Sequence, residues 1–373
     1  MKLSELNLDQ PEKILFALRS LYDRHGYCRY RMNKFEEYDL YAQNKDFLIS
    51  DHVLTFTDSD GKLMALKPDV TLSIVKNSQD SGGVQKLYYN ENVYRVSKDT
   101  PGFREIMQIG LECLGQVDQW CICEVLELAA ESLAVMGTDW VLNVSHLGLV
   151  TGLAASLGIA GEQKRQMLSL MAAKNRHELL TLCRENGLSD AQTKALTELA
   201  VAKGAPEDVI PALRGILSGL TDTAPLDQLE ALMEALRDTG LAQNIRIDFS
   251  VVDDVHYYNG IVFKGFVRGL PVPVLSGGQY DKLMQKMKRS ARAIGFAVYT
   301  DLLERLEESR DDYDVDTLVV YDDSASLADL RSWSKRLAGE GSLRFQRNQP
   351  ENLRCRRVLK LENGEVTILE DNA

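Results

Sequence analysis

The sequence predicts an α+β protein, with an antiparallel sheet flanked by helices, a helical insertion and a small C-terminal α/β domain. Three observations carry that prediction. Alternating apolar and polar runs, separated by turn signals, fill roughly residues 50 to 115. Residues 147–224 read instead as successive helices, broken at Gly158, Gly187, Gly204 and Pro206. A charged run from Glu307 to Asp316 then precedes a separate α/β pattern. The core is therefore assigned to 1–146 and 225–308, the insertion to 147–224, a linker to 309–316 and the C-terminal domain to 317–373.

The elements follow in order. Ile14, Leu15, Leu18, Leu21 and Tyr22 recur at helical spacing over residues 10–25, and Gly26 stops that helix. DHVLTFTDSDGKLMALKPDVT reads as a hairpin turning at Asp60-Gly61. KLYYNENVYRVS (Lys86–Ser97) and GFREIMQIGLE (Gly102–Glu112) read as partner strands. Gln119–Gly137 is helical, with Leu126, Ala129, Ala130 and Leu133 on one face, and Trp140–His146 is a strand. Pro225–Gly240 carries proline near its start and glycine after its end, as a helix should. NIRIDFSVV, YYNGIVFKGFV and PVPVL are strands. SGGQYDKLMQKM passes from glycines into a helix, and RAIGFAVYTDLLERL from strand to helix. In the tail, TLVVYDD is a strand, Ala325–Leu337 a helix, and two strands end at Leu369.

The 373 residues carry a net charge of -12, which excludes a broad electrostatic grip on nucleic acid. RCRRVLK (Arg354–Lys360) is read as a solvated strand edge. The first twenty residues lack the pattern of a signal peptide, and no run approaches the ~18 apolar residues of a membrane span. Six scattered cysteines fit reduced thiols in a cytoplasmic protein. Cys121 and Cys123 form CxC without a second pair, so they read as core. His25, His52, His146 and His177 lack metal-ligand spacing and read as surface or capping residues. No metal, cofactor, nucleic acid or membrane partner is expected.

GFREIMQIGLE carries the chemistry. On a strand, one face holds Arg104, Ile106, Gln108, Gly110 and Glu112; the other holds Phe103, Glu105, Met107, Ile109 and Leu111. The polar row is either a wet sheet face or the floor of a pocket. Gly110 points to close approach by a ligand or another backbone. Gln108 and Glu112 stand about 13 Å apart along the backbone, and their side chains are expected to converge over Gly110. A carboxylate with an amide suits an ammonium group.

Five ordered segments resemble the histidyl-tRNA synthetases, a class II synthetase family, over roughly residues 10–146 and 225–308. LKPDVT (Leu66–Thr71) resembles that family's Pro-Glu-x-Thr loop. YRVS with GFREIMQIGLE resembles its motif 2, and HYYNGIVF (His256–Phe263) its two-tyrosine signature. LSGGQYDKL (Leu275–Leu283) resembles its Gly-Gly-Arg-Tyr-Asp element, and AIGFAV (Ala293–Val298) the start of motif 3. The resemblance implies that Asp69, Thr71, Arg95, Gln108 and Glu112 hold an amino acid, with Tyr257 and Tyr258 packing its side chain. His256 is either pocket wall or a plain strand residue.

The departures all fall on the nucleotide side. Asp253 stands where the family signature places arginine. One charge at ~4 Å is worth roughly 4 kcal/mol at an effective dielectric near 20, so a triphosphate is repelled there instead of clamped. Motif 3 continues as Tyr299-Thr300-Asp301-Leu302 without its arginine, and Arg305 comes three residues late. Ser97 replaces the acid of motif 2. A kept amino-acid half with a dismantled nucleotide half resembles the regulatory subunit of ATP phosphoribosyltransferase. That family implies no catalytic residues of its own, a short-form catalytic partner, histidine as effector, a homodimer core within a hetero-oligomer, and a role in histidine biosynthesis. A divergent histidyl-tRNA synthetase or related adenylate-forming ligase is the alternative, and a scaffold with an idle pocket the third reading.

Overall fold

A computed structural model of the chain describes residues 8–48, 52–78, 82–96, 102–252, 257–306, 313–350 and 352–372. Helix α1 (Gln10–Arg24) starts at Asp9, whose carboxylate accepts from the Glu12 N–H at 2.7 Å while Glu12 accepts from the Asp9 N–H at 3.1 Å. Short elements follow: β1 (Cys28–Arg29), β2 (Phe35–Glu37), α2 (Tyr38–Ala42), β3 (Thr55–Thr57), β4 (Leu63–Leu66) and α3 (Thr71–Asn77). The long hairpin β5 (Val84–Val96) and β6 (Phe103–Gly115) comes next, then α4 (Gln119–Met136) and β7 (Trp140–His146). Residues 147–224 form α5 (Leu147–Ser156), α6 (Gly161–Ala172), α7 (Arg176–Glu185), α8 (Asp190–Val201), the two-residue β8 (Lys203–Gly204) and α9 (Pro206–Leu217). Then come α10 (Ala224–Ala235), β9 (Ile245–Asp248), β10 (Ile261–Val267), β11 (Leu275–Gln279), α11 (Asp281–Lys286) and β12 (Arg292–Tyr299). These make the first of two compact units, residues 1–306. The second holds β13 (Val315–Tyr321), α12 (Leu327–Leu337), β14 (Leu343–Gln346), β15 (Cys355–Glu362) and β16 (Glu365–Asp371).

The first unit is built on a nine-stranded sheet, ordered β1-β5-β6-β12-β11-β10-β7-β9-β8. Only the β1–β5 and β7–β9 pairs are parallel. Alternation along β6 sorts its side chains as the sequence predicts. Ile109 and Leu111 join Tyr88, Phe296 and Val144 against Leu18 and Tyr22 of α1 and Ile122 and Leu126 of α4. Helices α5 to α9 extend this same core, with Leu153, Met167, Leu182, Leu196 and Leu213 inside it. The opposite face of β5 and β6 meets a smaller core formed by Tyr41, Leu72, Tyr89, Val93, Tyr280 and Leu283. The site lies on that face.

Several expectations are corrected. Residues 50–115 do not form one sheet: β3 and β4 pair with β2 in a separate three-stranded sheet. These strands are three and four residues long, and the hairpin buries Ala65 into the smaller core. PVPVL is not a strand, because Pro271 and Pro273 have no N–H to give a ladder; the strand begins at Leu275. Gly277 and Gly278 are interior to that strand, not a loop opening a helix. The segment after β12 is a 3-10 helix, Thr300–Leu306. In the tail three strands follow the helix, the last two joined at Asn363-Gly364 (φ 52° and 82°), the turn chemistry of a tight hairpin. RCRRVLK is not an edge: β15 lies between β13 and β16, with Arg357 paired to Glu340 at 2.6 Å. His146 does cap a helix, accepting from the Gly148 N–H at 3.0 Å. Ser97, Asp253 and His256 lie outside the described residues, as does the side chain of Arg305.

A methyl group at Gly277 would sit 2.4 Å from Phe296 Cβ and 2.5 Å from the Gly295 carbonyl. Gly277→Ala is therefore expected to lose about 3 kcal/mol through overpacking. Gly215→Ala, in α9 with open space around it, is expected to gain up to about 1 kcal/mol from helix propensity. Urea unfolding of the two variants checks the contrast.

Candidate functional site

Loop 66–70 reaches the sheet face because two partners fix it. Asp69 Oδ1 accepts from the Leu72 N–H at 2.8 Å, at the entry to α3. Arg95, near the end of β5, donates through Nε to the Pro68 carbonyl at 2.6 Å and pairs with Asp69 Oδ2 at 3.6 Å. Thr71 then points its hydroxyl at the sheet and donates to Glu112 Oε1 at 2.7 Å. Tyr280, following β11, donates to Glu112 Oε2 at 2.6 Å. Three distant segments thus converge on one carboxyl, which is 2% exposed.

Glycines make room for this convergence. Gly295 pairs with Glu112 across β12 and β6, and a Cβ there would fall 1.9 Å from Glu112 Oε2. Gly278 similarly lies under Tyr258, whose Cδ1 is 2.8 Å from where a Cβ would stand. Gly110 pairs with Tyr89, and the tyrosine hydroxyl lies 2.5 Å from its missing Cβ. The Phe296 carbonyl of β12 lies 2.4 Å from the same point, so the close approach expected at Gly110 is made by another backbone and by a side chain.

Tyr257 and Tyr258 form an aromatic wall, their ring centroids 4.8 Å apart and edge-on. Tyr257 also meets Tyr280 at 5.8 Å and Phe47 at 6.1 Å. Asp69, Thr71, Arg95, Gln108, Glu112, Tyr257 and Tyr258 all line one cavity of about 430 Å³. Tyr89, Lys264, Tyr280 and Tyr299 line it too, and the sequence reading missed them. Tyr89 was findable, since it shares a strand face with Arg95 at period two. Tyr280 belongs to the recognised Gly-Gly element but sits past the strand end, where alternation stops. Thr300, in the stretch where an arginine is absent, donates to the Met107 carbonyl at 3.1 Å and ties β12 to β6.

Burial dominates the electrostatics. It pushes the Glu112 carboxyl up to about 8, against the lowering effect of its bonds from Tyr280 and Thr71. Burial also raises Asp69, with Arg95 opposing. The Tyr257 and Tyr280 phenols are raised as well, first by burial and then by nearby carboxylates. The cavity therefore holds one ion pair, one carboxyl poised near neutrality, an amide and several hydroxyls. Such a set binds a small polar cation or zwitterion against aromatic rings. Among the described residues no cluster of three His, Cys, Asp or Glu could hold a metal, and no helix is long and apolar enough to cross a membrane.

A predominantly antiparallel sheet with this cradle on one face defines the catalytic-domain fold of class II synthetases. Residues 3–303 match the family model described as histidyl-tRNA synthetase, and the chain belongs to that family. It is 29% identical over 286 residues to the ATP phosphoribosyltransferase regulatory subunit of Caldanaerobacter subterraneus subsp. tengcongensis, covering 75% of this chain and 74% of that one. A Bacillus halodurans structure titled ATP phosphoribosyltransferase regulatory subunit/histidyl-tRNA synthetase superposes with a TM-score of 0.75 at 24% identity, over 90% of this chain and 88% of the other. A chain in the ATP phosphoribosyl transferase (HisG:HisZ) complex from Thermotoga maritima superposes with a TM-score of 0.62 at 18% identity, over 79% of this chain and 98% of that one.

Glu112 gives a stability signature. Its folded-state value is raised from 4.5 to about 8, so between those pH values the folded chain binds more protons than the unfolded one. Stability is then expected to fall as pH rises across this window, by up to about 1.4 kcal/mol per unit from this group. Glu112→Gln should flatten that slope. Urea unfolding at pH 5.5 and 8 compares the two proteins.

Proposed function

We propose that the chain is a non-catalytic regulatory subunit of ATP phosphoribosyltransferase, acting in histidine biosynthesis with a separate catalytic chain. Its synthetase-like cavity binds histidine as feedback effector. The observation that carries this reading is the Glu112 cradle beside a sequence without the nucleotide-binding arginines. Glu112 and Gln108 meet the ammonium group, and Tyr257 and Tyr258 flank the imidazole, with Asp69 and Arg95 holding the loop that presents Thr71. The name of the 29% identical relative supports the regulatory role, and the Thermotoga complex contains a chain of this fold. A homodimer core within a hetero-oligomer is part of the proposal, as is a cytoplasmic setting. Feedback requires that histidine bind one state of the complex more tightly than the other.

A second reading, a divergent histidyl-tRNA synthetase, is favoured by the description of the matching family model. Histidine-dependent pyrophosphate exchange separates the two. The regulatory reading expects none from the purified chain, whereas exchange at synthetase rates would overturn it.

Titration calorimetry of the full chain with histidine is expected to give a dissociation constant between about 1 µM and 1 mM. Because Glu112 begins largely protonated at pH 7 and the ammonium favours its ionised form, binding should release protons and tighten from pH 6 to pH 8. Glu112→Gln should weaken histidine at least about tenfold, the loss of one charge-assisted hydrogen bond, and abolish the proton release. A pull-down from the native lysate should recover a catalytic phosphoribosyltransferase; its absence counts against the regulatory reading.

A further inference from the structure

On β5, Glu91 and Arg95 share the cradle face with Tyr89 at period two. Loop 66–70 lies against them with the opposite charges, Lys67 and Asp69. Lys67 is 1% exposed, and its ammonium pairs with Glu91 Oε2. The other Glu91 oxygen accepts from the Met32 N–H at 3.5 Å. The Lys67 backbone is held as well: its N–H donates to the Lys34 carbonyl at 3.2 Å, and its carbonyl accepts from the Tyr94 N–H at 2.9 Å. Neither Lys67 nor Glu91 is among the residues lining the 430 Å³ cavity, so ligand contact does not account for the pair. Stability does not account for it either. Removing two charges from water offsets most of their attraction, and apolar side chains of the same volume would serve as well. What a buried ion pair adds is discrimination between arrangements.

We propose that Glu91 and Lys67 are positioning residues: their buried pair fixes the register of loop 66–70 on β5 and so brings the Thr71 hydroxyl onto Glu112. Slipping the loop by two residues would set Asp69 against Glu91, and like charges exclude that arrangement. Arg95 grips Asp69 and the Pro68 carbonyl at one end of the loop. That single anchor would let the segment swing; Glu91 at the other end fixes its direction. With both ends held, Asp69 Oδ1 meets the Leu72 N–H and α3 begins with Thr71 facing the sheet. The register is a property of the chain alone, whereas its effect on histidine rests on the function proposed above.

The test compares two variants of the full chain. Glu91→Gln leaves the buried ammonium without its carboxylate. Lys67→Met combined with Glu91→Leu replaces the pair by apolar side chains and retains the packing. Amide hydrogen exchange is read at Leu72, whose N–H Asp69 holds, and at Leu111 and Leu126 in the main core. Leu72 should exchange at least about tenfold faster in both variants, the loss of one hydrogen bond. In the apolar double variant Leu111 and Leu126 should keep the wild-type rate. Calorimetry should show histidine bound at least about tenfold more weakly by both variants. Leu72 exchanging at the wild-type rate in the double variant would overturn the proposal, because packing alone would then place the loop. Acceleration shared equally by Leu111 and Leu126 would overturn it too, as would faster Leu72 exchange with histidine affinity unchanged. If the wild-type chain does not bind histidine, the effector reading fails and the exchange comparison still decides the role of the pair.

Discussion

The site depends on burying one carboxyl, Glu112, inside a sheet. An ionised carboxylate in that position is costly, and two hydrogen bonds from Thr71 and Tyr280 do not fully offset the loss of water. The carboxyl responds by holding its proton to about pH 8. What the protein withholds is an opposite charge at close range, the part the proposal gives to a ligand ammonium. The loop at Asp69, the aromatic wall and the turn at Tyr280 all serve to keep this group dry and oriented. The Arg95–Asp69 pair has a different part: it neutralises itself and fixes loop geometry, so the unmet electrostatic demand falls on Glu112.

Register makes the burial possible. Glu112, Gly295 and Gly278 stand in one row across β6, β12 and β11. Side chains on the latter two would collide with Glu112 and Tyr258. Gly110 does the same for Tyr89 one row away. A slip of one residue would turn each cradle side chain to the helix-covered face. The long β5–β6 hairpin, thirteen residues a side, is the element that resists such a slip.

How much of this was legible follows from the kind of signal each part leaves. Period-two alternation placed Gln108 and Glu112 on one face, and helical spacing placed α1 and α4 nearly to the residue, whereas the helix expected over Pro225–Gly240 ends at Ala235 and a 3-10 turn follows. The convergence of Thr71, Glu112 and Tyr280 leaves no local trace, because Glu112 is 41 residues from Thr71 and 168 from Tyr280. It became readable only through ordered family motifs. Gly110 marks close approach by a ligand or another backbone, and the structure places the Phe296 carbonyl and the Tyr89 phenol there, because a glycine records that something comes close without recording what. Two glycines at 277–278 are a weak phosphate-loop signal, and close packing beside the pocket is the better reading; the structure gives it a cause in Phe296 and Phe263, against which a Cβ at Gly277 would collide. Propensity lost there to tertiary packing.

The same sheet face connects the Glu112 cavity to a second, of about 460 Å³, beside the helical segment. Tyr89, Gly110, Ala297, Ser276, Lys264 and Asn143 follow one another in register across six strands. Lys264 and Pro273 line both spaces. Lys264 therefore stands on the row between the two spaces. Coupling between sites needs an element with two arrangements that each ligand biases differently. In the cradle Asp69 and Arg95 offset each other and Glu112 keeps its proton, so charge on this face changes only when Glu112 ionises.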